Sequence, residues 1–169
     1  MPNHVHLIFR PSHEGGLNAA LSRVHRAYAG HIHARERRTG HFWQGRFGCV
    51  AMDEAHLTAA VAYVALNPVR ARLVRRAEDW PWSSVHAHLD PARGDGLTDT
   101  APVADRVPNF AALLRAGEDD ALSAALRRAE SIGRPLGDSG FRERIKAALG
   151  RDSAPRKRGP RKKLNALSP

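Results

Sequence analysis

Polar and apolar residues alternate at the amino terminus in "HVHLIFRP" before the pattern turns continuously apolar. That alternation predicts a strand with one fully covered face. After the loop "SHEGG" the period lengthens. Leu17, Ala20, Leu21, Val24, Ala27, Tyr28 and Ile32 recur at helical spacing, so the segment from Leu17 to about Arg38 is predicted helical. Gly40 in "RTG" is expected to take the left-handed cap that ends it. "HFWQGRFGCV" alternates again, with Phe42, Gln44 and Arg46 on one side and Trp43, Gly45 and Phe47 on the other, and predicts a second strand. Asp53 then offers an N-cap to "DEAHLTAAVAYVALN", whose acidic first turn suits the helix dipole. Pro68 is expected to stop that helix, because proline pushes its predecessor out of the α region.

The second half is patterned more weakly. "VRARLVRRAEDWPWSSVHAHL" predicts a short helix, a turn carrying Trp80 and Trp82, and another short helical piece. Trp80 and Trp82 are expected to plug the edge of the core rather than to stack on bases. Residues 91–108, rich in Asp, Gly, Pro and Thr, read as a linker, and 109–150 hold short helices at roughly 109–116, 118–131 and 138–149. No internal repeat is visible, and 169 residues suit one domain with a tail.

Charge changes the picture. Lys and Arg number 27 against 17 Asp and Glu, a formal net of +10, which favours polyanion partners, nucleic acid before acidic membrane. The excess is uneven: residues 151–163 carry seven Lys/Arg and one Asp, a net of +6, which leaves +4 for residues 1–150. A basic run broken by Pro and Gly has too little apolar surface to offset ordering entropy, so residues 151–169 are expected to form a disordered arm. Its Arg156, Lys157, Arg158, Arg161, Lys162 and Lys163 would contact phosphates without reading sequence. A second basic face is expected on the first helix, where Arg35 and Arg38 sit beside Arg26, Arg37, His25, His31 and His33. Gln44 and Arg46 share a strand face that either touches DNA or is merely solvated. The lone Cys49 permits no internal disulfide and suits a reducing cytosol. No apolar run approaches the ~20 residues of a membrane span.

Two features carry candidate chemistry. On a strand, His4 and His6 face the same way and Val5 the other, so they either form two corners of a divalent-metal site or stand as a pair of satisfied histidines. Tyr63 and Asn67 lie four apart and project from one helix face. A phenol is a poor nucleophile at neutral pH, but serves when a nearby cation polarises a phosphodiester, and an amide oxygen is a hard metal ligand. The bland alternative is a core tyrosine and a helix-end asparagine. Tyr28, on the first helix among Leu21, Val24 and Ile32, reads as a core or interface residue.

In order along the chain, "MPNHVHLI", "GHFWQGRF", "YVALNPVRARLV" and "EDWPWSSVHAHL" resemble the single-tyrosine HUH (IS200-like) transposases, in particular their REP-associated tyrosine transposase branch. The resemblance covers residues 1–90, and "SIGRPLGDSGF" and "RKRGPRKK" are similar to that branch's C-terminal extension. It implies an α+β fold, a ferredoxin-like antiparallel sheet with flanking helices, followed by the helical extension and basic tail. It implies His4 and His6 as a Mg²⁺- or Mn²⁺-binding pair, Asn67 as a third ligand where related enzymes carry glutamine, and Tyr63 as the nucleophile. The implied reaction is cleavage and rejoining of single-stranded, hairpin-containing DNA through a 5′-phosphotyrosine. The implied assembly is a homodimer in the bacterial cytoplasm, associated with the nucleoid. Members place a strand, a helix and at least one further strand before the "MPNHVHL" segment. Here Met1 is that motif's methionine, so the chain is expected to be truncated at its amino terminus, with its catalytic residues imperfectly positioned. The alternatives are a non-catalytic nucleic-acid-binding remnant and a zinc hydrolase in which water attacks.

Overall fold

The computed structural model describes residues 1–150 apart from Pro2 and Arg46. The helices, in order, are α1 (Gly16–Glu36), α2 (Glu54–Arg70), α3 (Val85–Leu89), α4 (Ala101–Ala104), α5 (Phe110–Ala116), α6 (Asp120–Ile132) and α7 (Ser139–Leu149), with a 3₁₀ turn at Ala77–Asp79. None of these helices is long and apolar enough to cross a membrane.

The organising element is α2. Its "AAVAYVAL" run is apolar on nearly every side, the signature of a buried helix. One side packs Val61 and Ala65 against Ala77, Val85 and Phe110, with Leu57, Leu66, Val69, Leu113 and Leu114 around them. The other side packs Ala60 and Tyr63 against Leu126 of α6, with Met52, Val64 and Leu136. The Asp53 carboxylate caps α2 by accepting the His56 N–H at 3.0 Å. Asn109, Asp119 and Asp138 cap α5, α6 and α7 in the same way, so each of these helices starts directly after a short acceptor side chain.

The structure corrects the expected fold class. Among the described residues there is no β-strand and hence no ferredoxin-like antiparallel sheet; the one strand-like pairing is an isolated parallel bridge between Met52 and Leu136. The physical reason lies in how the two kinds of element are satisfied. A helix pairs its own backbone groups, whereas a strand must find its partners on another strand. The described parts of 1–10 and 41–50 find none, whatever their alternation. Residues 5–9 keep the outward half of that pattern: Val5, Leu7 and Phe9 are each more than half exposed. In the second segment, Phe42 and Trp43 both turn onto α1 rather than to opposite faces. Trp43 stacks on His25 with ring centroids 4.2 Å apart and donates its Nε1–H to the His25 carbonyl at 3.1 Å, and Phe42 packs edge-on against Tyr28 and His33.

Two helix ends also differ from expectation. The cap of α1 is Arg37, at φ 50°, three residues before Gly40. Pro68 lies inside α2 instead of stopping it. Proline removes only its own N–H; the amides that follow still reach back, Ala71 to the Asn67 carbonyl at 2.9 Å and Leu73 to the Pro68 carbonyl at 3.0 Å.

Candidate functional site

Three positions of α2 build the site. Tyr63, Asn67 and Arg70 follow one another at intervals of four and three, so helical geometry stacks them along one face. Tyr63 and Asn67 are buried. The Arg70 guanidinium lies over the Tyr63 ring, its central carbon 4.4 Å from the ring centroid.

The amino-terminal segment meets this face. The His6 ring stands edge-on to the Tyr63 ring, with centroids 5.4 Å apart, and the His4 ring stands edge-on to His6 at 4.9 Å. His4 is exposed, and its Nδ1 shares a 2.7 Å hydrogen bond with the Asn3 side-chain oxygen. Burial holds the His6 imidazole below its ordinary value; the Glu130 carboxylate pulls the other way, while His4, Arg70 and the amino terminus reinforce the fall. His6 therefore presents a neutral ring, the form that ligates metals.

Beyond α2, α6 and its approach close the site. Glu118 Oε2 stands 3.9 Å from Arg70 Nη1 and accepts the Ser123 hydroxyl at 2.8 Å. Leu126 packs beside Tyr63.

Ring contacts join His4 to His6 and His6 to Tyr63, and Asn67 lies one turn beyond Tyr63 on α2. Among the described residues no group of three or more His, Cys, Asp or Glu is gathered to hold a metal, so a metal bound here would need a further ligand of another type. Asn67 qualifies: it is 3% exposed and its side-chain nitrogen has no hydrogen-bond partner. A buried amide left unpaired in this way is an unusual cost in a folded chain. Rotating the amide exchanges its nitrogen and oxygen and offers the oxygen instead. His4, His6 and Asn67 are thus side chains of types that could ligate a divalent cation, two through imidazole nitrogen and one through an amide oxygen.

Of the DNA-contact residues expected from sequence, Arg35, Arg38 and Gln44 are exposed. Arg35 is paired with Glu36 at 2.9 Å. Arg46, Arg156, Lys157, Arg158, Arg161, Lys162 and Lys163 lie outside the described residues. Tyr28 is half exposed on α1, and Trp82, expected at the edge of the core, is 84% exposed. Sequence reasoning missed Arg70, Glu118, Ser123 and Glu130. Arg70 had a signal, since it lies two helical turns after Tyr63 within "YVALNPVRA". The other three are brought near by the packing of α6 on α2, for which no local pattern exists.

Residues 1–67 match the family model described as "Transposase IS200 like". The matched span begins at the first motif and closes on Asn67, so it contains His4, His6 and Tyr63 and supports the family to which the sequence motifs pointed. Comparison with curated proteins and with solved structures finds no match.

Proposed function

We propose, from the match of residues 1–67 to the IS200-like transposases, that this protein cleaves and rejoins single-stranded DNA by transposase-type strand transfer, with Tyr63 as nucleophile. The observation that carries the proposal is the meeting of the His6 and Tyr63 rings, which come from opposite ends of the matched span. The REP-associated branch is the reading favoured within the family, because "YVALNPVRARLV" and "EDWPWSSVHAHL" extend the likeness past residue 67.

Tyr63 Oη attacks the phosphorus of a phosphodiester. A phosphorus–Oη bond forms, the bond from phosphorus to the 3′-oxygen breaks, and the phenolic proton passes through water to the departing oxygen. The products are a 5′-phosphotyrosine and a free 3′-hydroxyl. Attack by the 3′-hydroxyl of another strand reverses the sequence, joining DNA and returning the proton to Tyr63. His4, His6 and Asn67 would hold Mg²⁺ or Mn²⁺, which supplies Lewis-acid polarisation of the phosphate. Tyr63 is packed between α2 and Leu126 of α6, which fixes the ring, while the exposed Arg70 beside it leaves a path for water. The formal charge of +10 suits a strand carrying one negative charge per nucleotide, and a homodimer acting on hairpin-flanked DNA is the assembly expected.

The test is incubation with Mn²⁺ and a hairpin-flanked single-stranded oligonucleotide, followed by denaturing electrophoresis. A covalent protein–DNA adduct is expected, lost in Tyr63→Phe and on adding EDTA. An adduct that persists in Tyr63→Phe, or cleavage with no protein–DNA bond, overturns the assignment of Tyr63. One observation favours a second reading, a non-catalytic nucleic-acid binder: Tyr63 is only 7% exposed. DNA binding without any metal-dependent cleavage would select it.

A further inference from the structure

Arg70 is a cation standing directly on the phenol that is proposed to attack phosphorus. Its guanidinium covers one face of the Tyr63 ring at 4.4 Å, yet its side chain is 36% exposed, so solvent and a strand of DNA reach it. Its acidic neighbour, Glu118, is 10% exposed and 3.9 Å away, at the outer limit of an ion pair. The Ser123 hydroxyl holds the same Glu118 oxygen, at 2.8 Å, so the carboxylate is fixed while the arginine is loosely tied. Among the described residues no hydrogen bond to the guanidinium and no other ion pair with it is seen. The group therefore keeps most of its five donors for another anion.

We propose that Arg70 is a catalytic residue that grips the scissile phosphate through its guanidinium while Tyr63 attacks, and that Glu118 parks it there until the phosphate displaces the carboxylate. The proposal rests on Tyr63 being the nucleophile. Three physical facts recommend it. A guanidinium fork matches two non-bridging phosphate oxygens at once. Charge developing on those oxygens is stabilised best by a donor already in place before the reaction begins. A long ion pair is displaced more easily than a short bidentate one, and a phosphodiester offers the geometry that Glu118 lacks. The segment around α6, which lies outside the family match, thus acts on the reaction through one carboxylate.

The competing explanation is that Arg70 merely braces the Tyr63 ring. Four full-length proteins separate the two: wild type, Arg70→Gln, Arg70→Lys and Glu118→Gln. Binding of a fluorescent hairpin-flanked single-stranded oligonucleotide is followed by anisotropy in EDTA at several salt concentrations, and adduct formation with Mn²⁺ is timed at saturating DNA. Arg70→Gln is expected to lower the saturating adduct rate about 100-fold and to flatten the log K against log salt slope by about 0.7, the share of one phosphate contact on a single strand. Arg70→Lys keeps the charge but not the fork, so the slope returns and the rate does not. Glu118→Gln, which frees the guanidinium, is expected to tighten binding, and it tests the idea even if Arg70→Gln folds poorly. An unchanged slope in Arg70→Gln, or full rescue of the rate by Arg70→Lys, overturns the proposal while leaving Tyr63 as nucleophile. If wild type forms no adduct, the Tyr63 reading fails and with it the catalytic role of Arg70; the slope then reports only whether the guanidinium binds phosphate.

Discussion

The Asp53 carboxylate serves two helices. It accepts the backbone N–H of His56 at 3.0 Å and that of Asp138 at 2.9 Å, and it pairs with the His56 ring at 2.5 Å. The N-termini of α2 and α7 are thereby tied to one side chain. The hydrogen bond from the His56 ring, ahead of the backbone ones, holds the carboxyl at about 2. In the unfolded chain the same group binds a proton near its ordinary value of 3.8. The unfolded state therefore takes up the proton first as pH falls, so this contribution to stability is complete above about pH 4 and is lost towards pH 2. Urea midpoints measured from pH 2 to pH 6 should show that loss in wild type and a flatter profile in Asp53→Asn. Asp53→Ala should cost about 1–2 kcal/mol at neutral pH through the lost cap alone. At the site itself, Tyr63→Phe keeps the ring that packs against His6, Arg70 and Leu126, so its thermal midpoint should stay near wild type while adduct formation disappears.

At the scale of elements, the placement of α6 and α7 decides what surrounds α2. Leu126 carries the contact of α6 with Tyr63 and Ala60. Leu126→Ala should destabilise by about 2–4 kcal/mol, the range for removing a buried leucine, and should raise proteolytic cleavage after Tyr63. The turn into α7 is tight at Gly137, where an added Cβ would collide with the Phe141 ring and meet Asp53 Oδ2 at 3.0 Å. Gly137→Ala must move the Phe141 ring or the Asp53 carboxylate, and a loss of about 1–3 kcal/mol is expected from such overpacking. Chemical denaturation followed by circular dichroism measures both variants. In α2, Pro68 leaves the helix running because the amides beyond it still find carbonyls one turn back, and so Arg70 stays in line with Tyr63.

At the scale of the molecule, the dominant quantity is charge. Residues 1–150 carry +4 and residues 151–163 carry +6, so most of the attraction for a polyanion resides in a short basic run. Replacing Arg156, Lys157, Arg158, Arg161, Lys162 and Lys163 together by glutamine should reduce the salt slope of single-stranded DNA binding by up to about 4, at 0.7 per contact. The adduct rate at saturating DNA should change little, because those residues would supply affinity and not chemistry. A rate that falls with the slope would place the basic run inside the reaction.

The residues themselves determined what is local. The helices that begin at 16 and 54, and the short ones at 110–116, 120–132 and 139–149, were legible because a helix satisfies its own backbone, and in all but the first an Asp or Asn caps the start. The continuation of the second through Pro68 was not. The shared face of Tyr63 and Asn67 followed from the same geometry, and Arg70 lay one more turn along it. The tertiary structure alone decided the rest. Alternation at 4–9 and 41–50 implied strands, but strands exist only through partners, and the described chain forms no ladder between them. Neither the arrival of His6 at Tyr63 nor that of Glu118 at Arg70 was written in any local period. Both depend on how buried apolar faces, those of α2 and α6 above all, close on one another, and burial is a property of the whole chain rather than of a segment.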